Sequence, residues 1–151
     1  MKSHAQFCKD LDTSRGAVLA VAAFLQVKGR DVTLPAHRVT PTWEDRYAFQ
    51  DQGDLMVAKP HQVKETSYEF TSKDDFPFDQ IIVDEEYKIK RQLNNPPAGY
   101  WIVNKHKTSA LFIPWEAKPR WTTFTSYDKK QGRECTFLRC PLSLTHYIKL
   151  C

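Results

Sequence analysis

Long apolar runs are missing from this 151-residue chain. The longest, Ala17 to Gln26, is broken too early to cross a bilayer, so no membrane span is expected. Met1-Lys2-Ser3-His4 is not followed by the apolar core of a signal peptide. Export is therefore not expected, and the predicted compartment is the cytoplasm. Cysteine is scarce. Cys8, Cys135, Cys140 and Cys151 show no paired close spacing, and the nearest histidine is His146. A tetrahedral zinc site of Cys135, Cys140, His146 and Cys151 is conceivable on residue type alone, but reduced thiols suit an intracellular protein better. Internal repeats and low-complexity segments are absent. Nothing has the pattern of a recognition helix or a zinc finger, so sequence specificity cannot be read. Acids are also lacking in the second half. From Tyr87 onward only Glu116, Asp128 and Glu134 stand against twelve lysines and arginines, whereas acids slightly outnumber bases up to Asp75.

What is present describes one globular domain. Hydrophobic residues make up 41% and charged residues 26%, which excludes a disordered chain, and the length suffices for a proper core. The basic second half suits a polyanion lying against one side of the molecule, although basic surfaces also serve solubility alone. The first element is a helix, with capping groups at Asp12-Thr13-Ser14 and an apolar face of Val18, Leu19, Val21, Ala22 and Leu25. Gly29 ends it, with Lys28 and Arg30 near the negative end of its dipole. Asp31 to Pro35 reads as a strand cut short by proline, and Ala36 to Gln52 as a polar loop. Ile81 to Glu86 reads as a strand and Lys88 to Leu93 as a short helix stopped by Asn94-Asn95-Pro96-Pro97. Tyr100–Asn104 and Ser109–Ile113 form a hairpin. The basic, aromatic tail from Trp115 reads as helix or loop followed by a strand at Thr136–Arg139.

Gly53-Asp54-Leu55-Met56-Val57, followed after a short turn by Gln62-Val63-Lys64, carries the chemistry. It reads as two adjacent strands, the second continuing to Phe70. Side chains on a strand alternate, so Gln62 and Lys64 share a face and Val63 points away. A hairpin through residues 58–61 brings Asp54 beside that pair. A carboxylate and an amide oxygen can hold a divalent metal, and an ammonium beside them can orient water and offset charge. The bland reading is an ordinary hairpin, with Asp54 an exposed edge charge and Lys64 a gatekeeper. Glu65 reads as a surface charge, Asp84-Glu85-Glu86 as a solvated strand end, and His61 and His106 as solvated loop tips.

The spacing Asp54, Gln62-x-Lys64 resembles the PD-(D/E)XK nuclease superfamily, in its Gln-x-Lys variant. The runs Phe70 to Phe78 and Ile81 to Glu85, with the hairpin at Val103-Asn104-Lys105, are similar to its small phage-type members. The resemblance implies an α/β fold with a restriction-endonuclease-like core, a central mixed β-sheet flanked by helices. It spans a single domain, residues 1–151, with the core at about 14–113 and a basic aromatic extension at 114–151. The implied activity is metal-dependent endonucleolytic cleavage of DNA in phage-type repair, recombination or degradation, in the host cell if phage-encoded. Asp54, Gln62 and Lys64 are the implied catalytic set. Asp54, Gln62 and the Val63 carbonyl would hold Mg²⁺, for which Mn²⁺ can substitute, and homodimers are common in such domains. One departure is clear: Ser14 to Lys28 lacks the acid that many members carry on the first helix, leaving Glu44 or Asp12 as substitutes. Lys118, Arg120, Lys129, Lys130 and Arg133 are the candidate phosphate contacts, with Trp115 or Trp121 near them. The rival readings are a catalytically silent DNA-binding module of the same fold and a phage-type factor that binds an acidic protein partner.

Overall fold

The computed structural model describes residues 4–35, 55–57, 59–129 and 132–151. Helix α1 spans His4–Val27. It begins eight residues before the expected cap, so Asp12-Thr13-Ser14 lies within the helix. Its end matches the sequence reading. Gly29 adopts φ 73°; its N–H bonds to the Gln26 carbonyl, and that of Arg30 to Leu25. These are the two bonds of a Schellman motif, which needs a left-handed residue that glycine supplies without Cβ strain. Ala17, Val21 and Ala22 are buried on one stripe of α1, whereas Leu19, expected on the apolar face, is 46% exposed. The stretch Asp31–Pro35 contributes a single bridge residue, Thr33, instead of a strand.

Strands β1 (Leu55–Val57), β2 (Lys59–Glu65), β4 (Gly99–Val103), β5 (Ser109–Pro114) and β8 (His146–Lys149) form a mixed sheet in the order β1-β2-β4-β5-β8. β2 and β4 are parallel, and every other neighbouring pair is antiparallel. The crossover from β2 to β4 carries β3 (Gln80–Glu85) and the short helix α2 (Glu86–Arg91). A second, antiparallel sheet is ordered β3-β7-β6, from β3, β6 (Thr122–Asp128) and β7 (Arg133–Pro141).

The layers follow from strand alternation. In β4, Trp101 and Val103 pack with Ala17, Val21 and Ala22 of α1. Tyr100 and Ile102 point the other way, into a core with Ile81, Val83, Leu138 and Cys140 of the second sheet. Both faces of the mixed sheet are thus covered, which is why β4 reads as a continuous apolar run. Each fully buried large side chain contributes about 1.5–3 kcal/mol. The fold is α/β: α1 covers one face of the central sheet, and on the other the three-stranded sheet shares a core with Ile89 of α2. Residues 114–151 are woven into both sheets. β7 pairs with β3, and β8 pairs with β5. The tail opens with a 3-10 helix at Trp115–Arg120. Among the described residues, no helix is long and apolar enough to cross a membrane.

Candidate functional site

β2 is the strand that presents the predicted residues. Its parallel register sets Gln62 opposite Tyr100 and Lys64 opposite Ile102, so both face the second sheet. Val63 is buried on the helix side. The alternation expected for Gln62-Val63-Lys64 is therefore the one observed. The strand ends at Glu65 and does not continue to Phe70. Val57 pairs with Lys59, so the turn expected over 58–61 is tighter, and residues 59–61 already belong to β2.

Lys64 reaches across the interlayer space to Asp84 of β3, with Nζ 2.8 Å from Oδ1. Lys88 of α2 stands 3.6 Å from the same oxygen and 3.1 Å from Glu85 Oε1. Arg133, at the start of β7, lies 3.8 Å from Glu85 Oε2. The Lys64 ammonium also lies 5.9 Å from the centre of the Tyr100 ring, whose hydroxyl donates to Gln92. Among the described residues, three cations thus surround two buried carboxylates. Burial by itself would push the Asp84 carboxyl up, but the charges of Lys64 and Lys88 hold it below the usual carboxylate range. Burial pulls the Lys88 ammonium down, and the carboxylates Asp84 and Glu85 outweigh it, raising that group. Tyr100 is raised by burial and by the Asp84 charge, so its phenol stays protonated.

These acids are not the solvated strand end that the Asp-Glu-Glu run suggests. Asp84 and Glu85 are only 7% and 6% exposed. For Asp84 the cause is a bulge. Ile82 pairs with Arg139 and Asp84 with Leu138, leaving Val83 as an extra residue. A bulge shifts the phase of a strand and re-aims the side chains after it. Here it turns Asp84 inward after two buried apolar positions, Ile81 and Val83. One signal was available: Asp84 and Glu85 stand four and three residues before Lys88, the spacing of ion pairs at a helix start.

His61 is likewise no loop tip. It lies in β2, 8% exposed, and its Nδ1 accepts a 2.9 Å hydrogen bond from the Trp101 indole. That bond needs the neutral ring, and burial lowers its pKa accordingly. His106 is exposed as expected, 3.5 Å from Glu69. Glu65 points toward the helix side and pairs with Lys107 at 3.3 Å, so it is more than a solvated charge.

Asp54 and Glu44 lie outside the described residues, as does Lys130. Asp12 lies within α1, and with the helix starting at His4 the acid-free stretch is only its second half. Leu55, next in the chain to Asp54, pairs with His61, next to Gln62. Among the described residues, no three His, Cys, Asp or Glu side chains converge as a metal-binding group. The donors implied for a metal (the Asp54 carboxylate, the Gln62 amide and the Val63 carbonyl) are all hard oxygens, which suit Mg²⁺.

The candidate phosphate contacts do not form one patch. Lys118 and Arg120 precede β6, whereas Lys129 and Arg133 border the turn after it. At about 3.3 Å per residue, the seven residues of β6 separate the two groups by roughly 23 Å. Lys118 lies 5.9 Å over the Trp115 ring. Trp121 is buried, and Trp115 packs edge-on against it at 5.8 Å, so both tryptophans serve the core. Compared with known proteins, the chain matches no family model, no curated protein and no solved structure.

Proposed function

We propose that this chain is a metal-dependent DNA endonuclease with a restriction-endonuclease-like core and Asp54, Gln62 and Lys64 as its catalytic set. The observation that carries the reading is the placement of Gln62 and Lys64 on one face of β2, within a mixed sheet, while Val63 turns into the helix layer. The pairing of Leu55 with His61 adds support, because it ties the segment that follows Asp54 to the one that precedes Gln62. Asp54, the Gln62 amide oxygen and the Val63 carbonyl would hold Mg²⁺, or Mn²⁺ in its place. When bound, the ion supplies Lewis acidity toward a phosphoryl oxygen. Lys64 orients the attacking water and offsets charge that builds on the phosphorane. Asp84 holds the ammonium in place. A neutral Gln62 where a carboxylate is commoner removes one negative charge and weakens the hold on the cation.

A second reading has its own observation. The Lys64 ammonium is engaged by Asp84 at 2.8 Å, as suits a fold that binds DNA without cutting it. The two separate in one assay. Wild-type, Asp54→Asn and Lys64→Ala proteins are incubated with linear, nicked, branched and single-stranded DNA in Mg²⁺, Mn²⁺ or EDTA. Metal-dependent cleavage by the wild type, abolished in Asp54→Asn and strongly reduced in Lys64→Ala, is the expected result. Salt-sensitive binding without cleavage selects the silent module, and neither activity selects a protein partner.

A further inference from the structure

The three-stranded sheet turns Ile81, Leu138 and Cys140 toward the mixed sheet. Its register places Ile82, Arg139 and Thr122 in one row of the opposite face, and Glu85, Phe137 and Phe124 in the next, with Glu85 buried beside Lys88 and Arg133. A solvent face of an antiparallel sheet is ordinarily polar. This one presents Ile82, 50% exposed, beside two partly exposed phenylalanines. Phe124 and Phe137 stack with centroids 5.5 Å apart and planes 28° apart. The Arg139 guanidinium lies 4.4 Å from the centre of the Phe124 ring. Arg139 has no carboxylate partner among the described residues, and its Nε makes no hydrogen bond. Cross-strand stacking stabilises the hairpin and accounts for the ring contact. It does not account for an uncompensated guanidinium or a half-exposed isoleucine on the same face.

We propose that this face binds unpaired nucleotides, with bases stacked against the Phe124–Phe137 layer and phosphates drawn to Arg139. Charge complementarity selects a polyanion over an apolar partner. Arg120 precedes β6 and Lys129 follows it, both exposed, so a strand lying along β6 meets a cation at each end. Rings select unpaired bases over a duplex, whose bases have no free π-face. Stacking is tolerant of sequence because every base offers such a face, in keeping with a chain that has no recognition helix. This face is turned away from Gln62 and Lys64, which face the inner side of the same sheet, so the inference goes beyond the nuclease reading and does not depend on cleavage.

The test is fluorescence anisotropy with a labelled oligothymidylate of roughly 15 nucleotides, and a duplex of equal length, in EDTA so that hydrolysis is silent. Phe124→Leu and Phe137→Leu keep apolar bulk and remove the π-face; Arg139→Gln removes the charge. Circular dichroism and thermal melting establish that each variant is folded. Wild type should prefer the single strand, and each leucine variant should weaken its binding on the order of tenfold. Arg139→Gln should weaken binding and flatten its salt dependence. Unchanged binding by the folded variants, a preference for the duplex, or binding only to an added protein would overturn the proposal. Intact face-dependent binding without metal-dependent cleavage would remove only the nuclease reading.

Discussion

Asn104 shows how one side chain can tie three segments together. It is fully buried between β4 and β5. Its Nδ2 shares its two hydrogens among Glu69, the Phe70 carbonyl at 3.1 Å and Thr108 Oγ1 at 3.0 Å. Its Oδ1 accepts from the N–H groups of Thr108 and Ser109. Asn104→Ala leaves these groups unsatisfied, and a loss of about 3 kcal/mol in urea unfolding is expected. Asp84 presents a charged version of the same logic. Replacing it with asparagine leaves two ammonium groups beside a neutral amide. Because Lys64 and Lys88 are partly exposed, the expected loss is about 2 kcal/mol, below the range for fully buried pairs. Its folded-state pKa is lowered, so its contribution is fully present above the ordinary carboxylate value and is lost as pH falls through the folded value. The acid limb of the stability curve should therefore flatten in Asp84→Asn. Asp75 offers a direct check on such shifts. Backbone N–H groups of Thr71 and Ser72 hold its carboxyl down at about 2. Side-chain carbon NMR should place its midpoint there, with the clamp intact above the unfolded value near 3.8 and released as pH falls toward 2.

At the scale of the element, Gly99 is a sharper test than any turn glycine. A Cβ there would meet the Ile113 carbonyl oxygen at 2.4 Å and the Phe112 ring at 2.6 Å. The carbonyl cannot yield without disturbing the β4–β5 ladder. Gly99→Ala should cost about 3 kcal/mol or prevent folding, whereas Gly29→Ala, with no neighbour within 4 Å, should cost only about 1 kcal/mol from its backbone angle. Thermal melting of the two proteins separates steric from conformational cost. The elements most legible in the sequence were those with local causes. The helix end at Gly29, the stop at Asn94-Asn95-Pro96-Pro97 and the hairpin around Asn104–Thr108 all follow from residues within a few positions. The helix start was misplaced because Asp12-Thr13-Ser14 has the chemistry of a cap, yet the helix already begins at His4. In the tail, the helix from Trp115 and a strand over Thr136–Arg139 match the reading, whereas β6 and β8 were not foreseen, and β8 finds its partner β5 far away in the chain.

For the whole molecule, the spread of basic residues becomes a prediction about ionic strength. Lys118 and Arg120 lie at one end of β6, and Lys129 and Arg133 at the other. If DNA spans both groups, the logarithm of affinity should fall with that of salt at a slope of roughly −3, near −0.7 per phosphate on a single strand. Charge reversal at only one end should then lower the slope by about half. A slope near zero, measured by titration at several salt concentrations, would point to a protein partner.

The sequence by itself determined the α/β class, the alternation that puts Gln62 and Lys64 on one face, and the basic bias of the second half. Each depends on spacing within one segment or on composition, which the chain carries before it folds. The tertiary structure decided what meets Lys64. Asp84 stands twenty residues away on another sheet, and a bulge turns it inward. The same is true of the outer face, where Phe124, Phe137 and Arg139 adjoin only because β6 and β7 pair. Contacts between distant segments are set by register and by which layers share a core, and no local pattern encodes either.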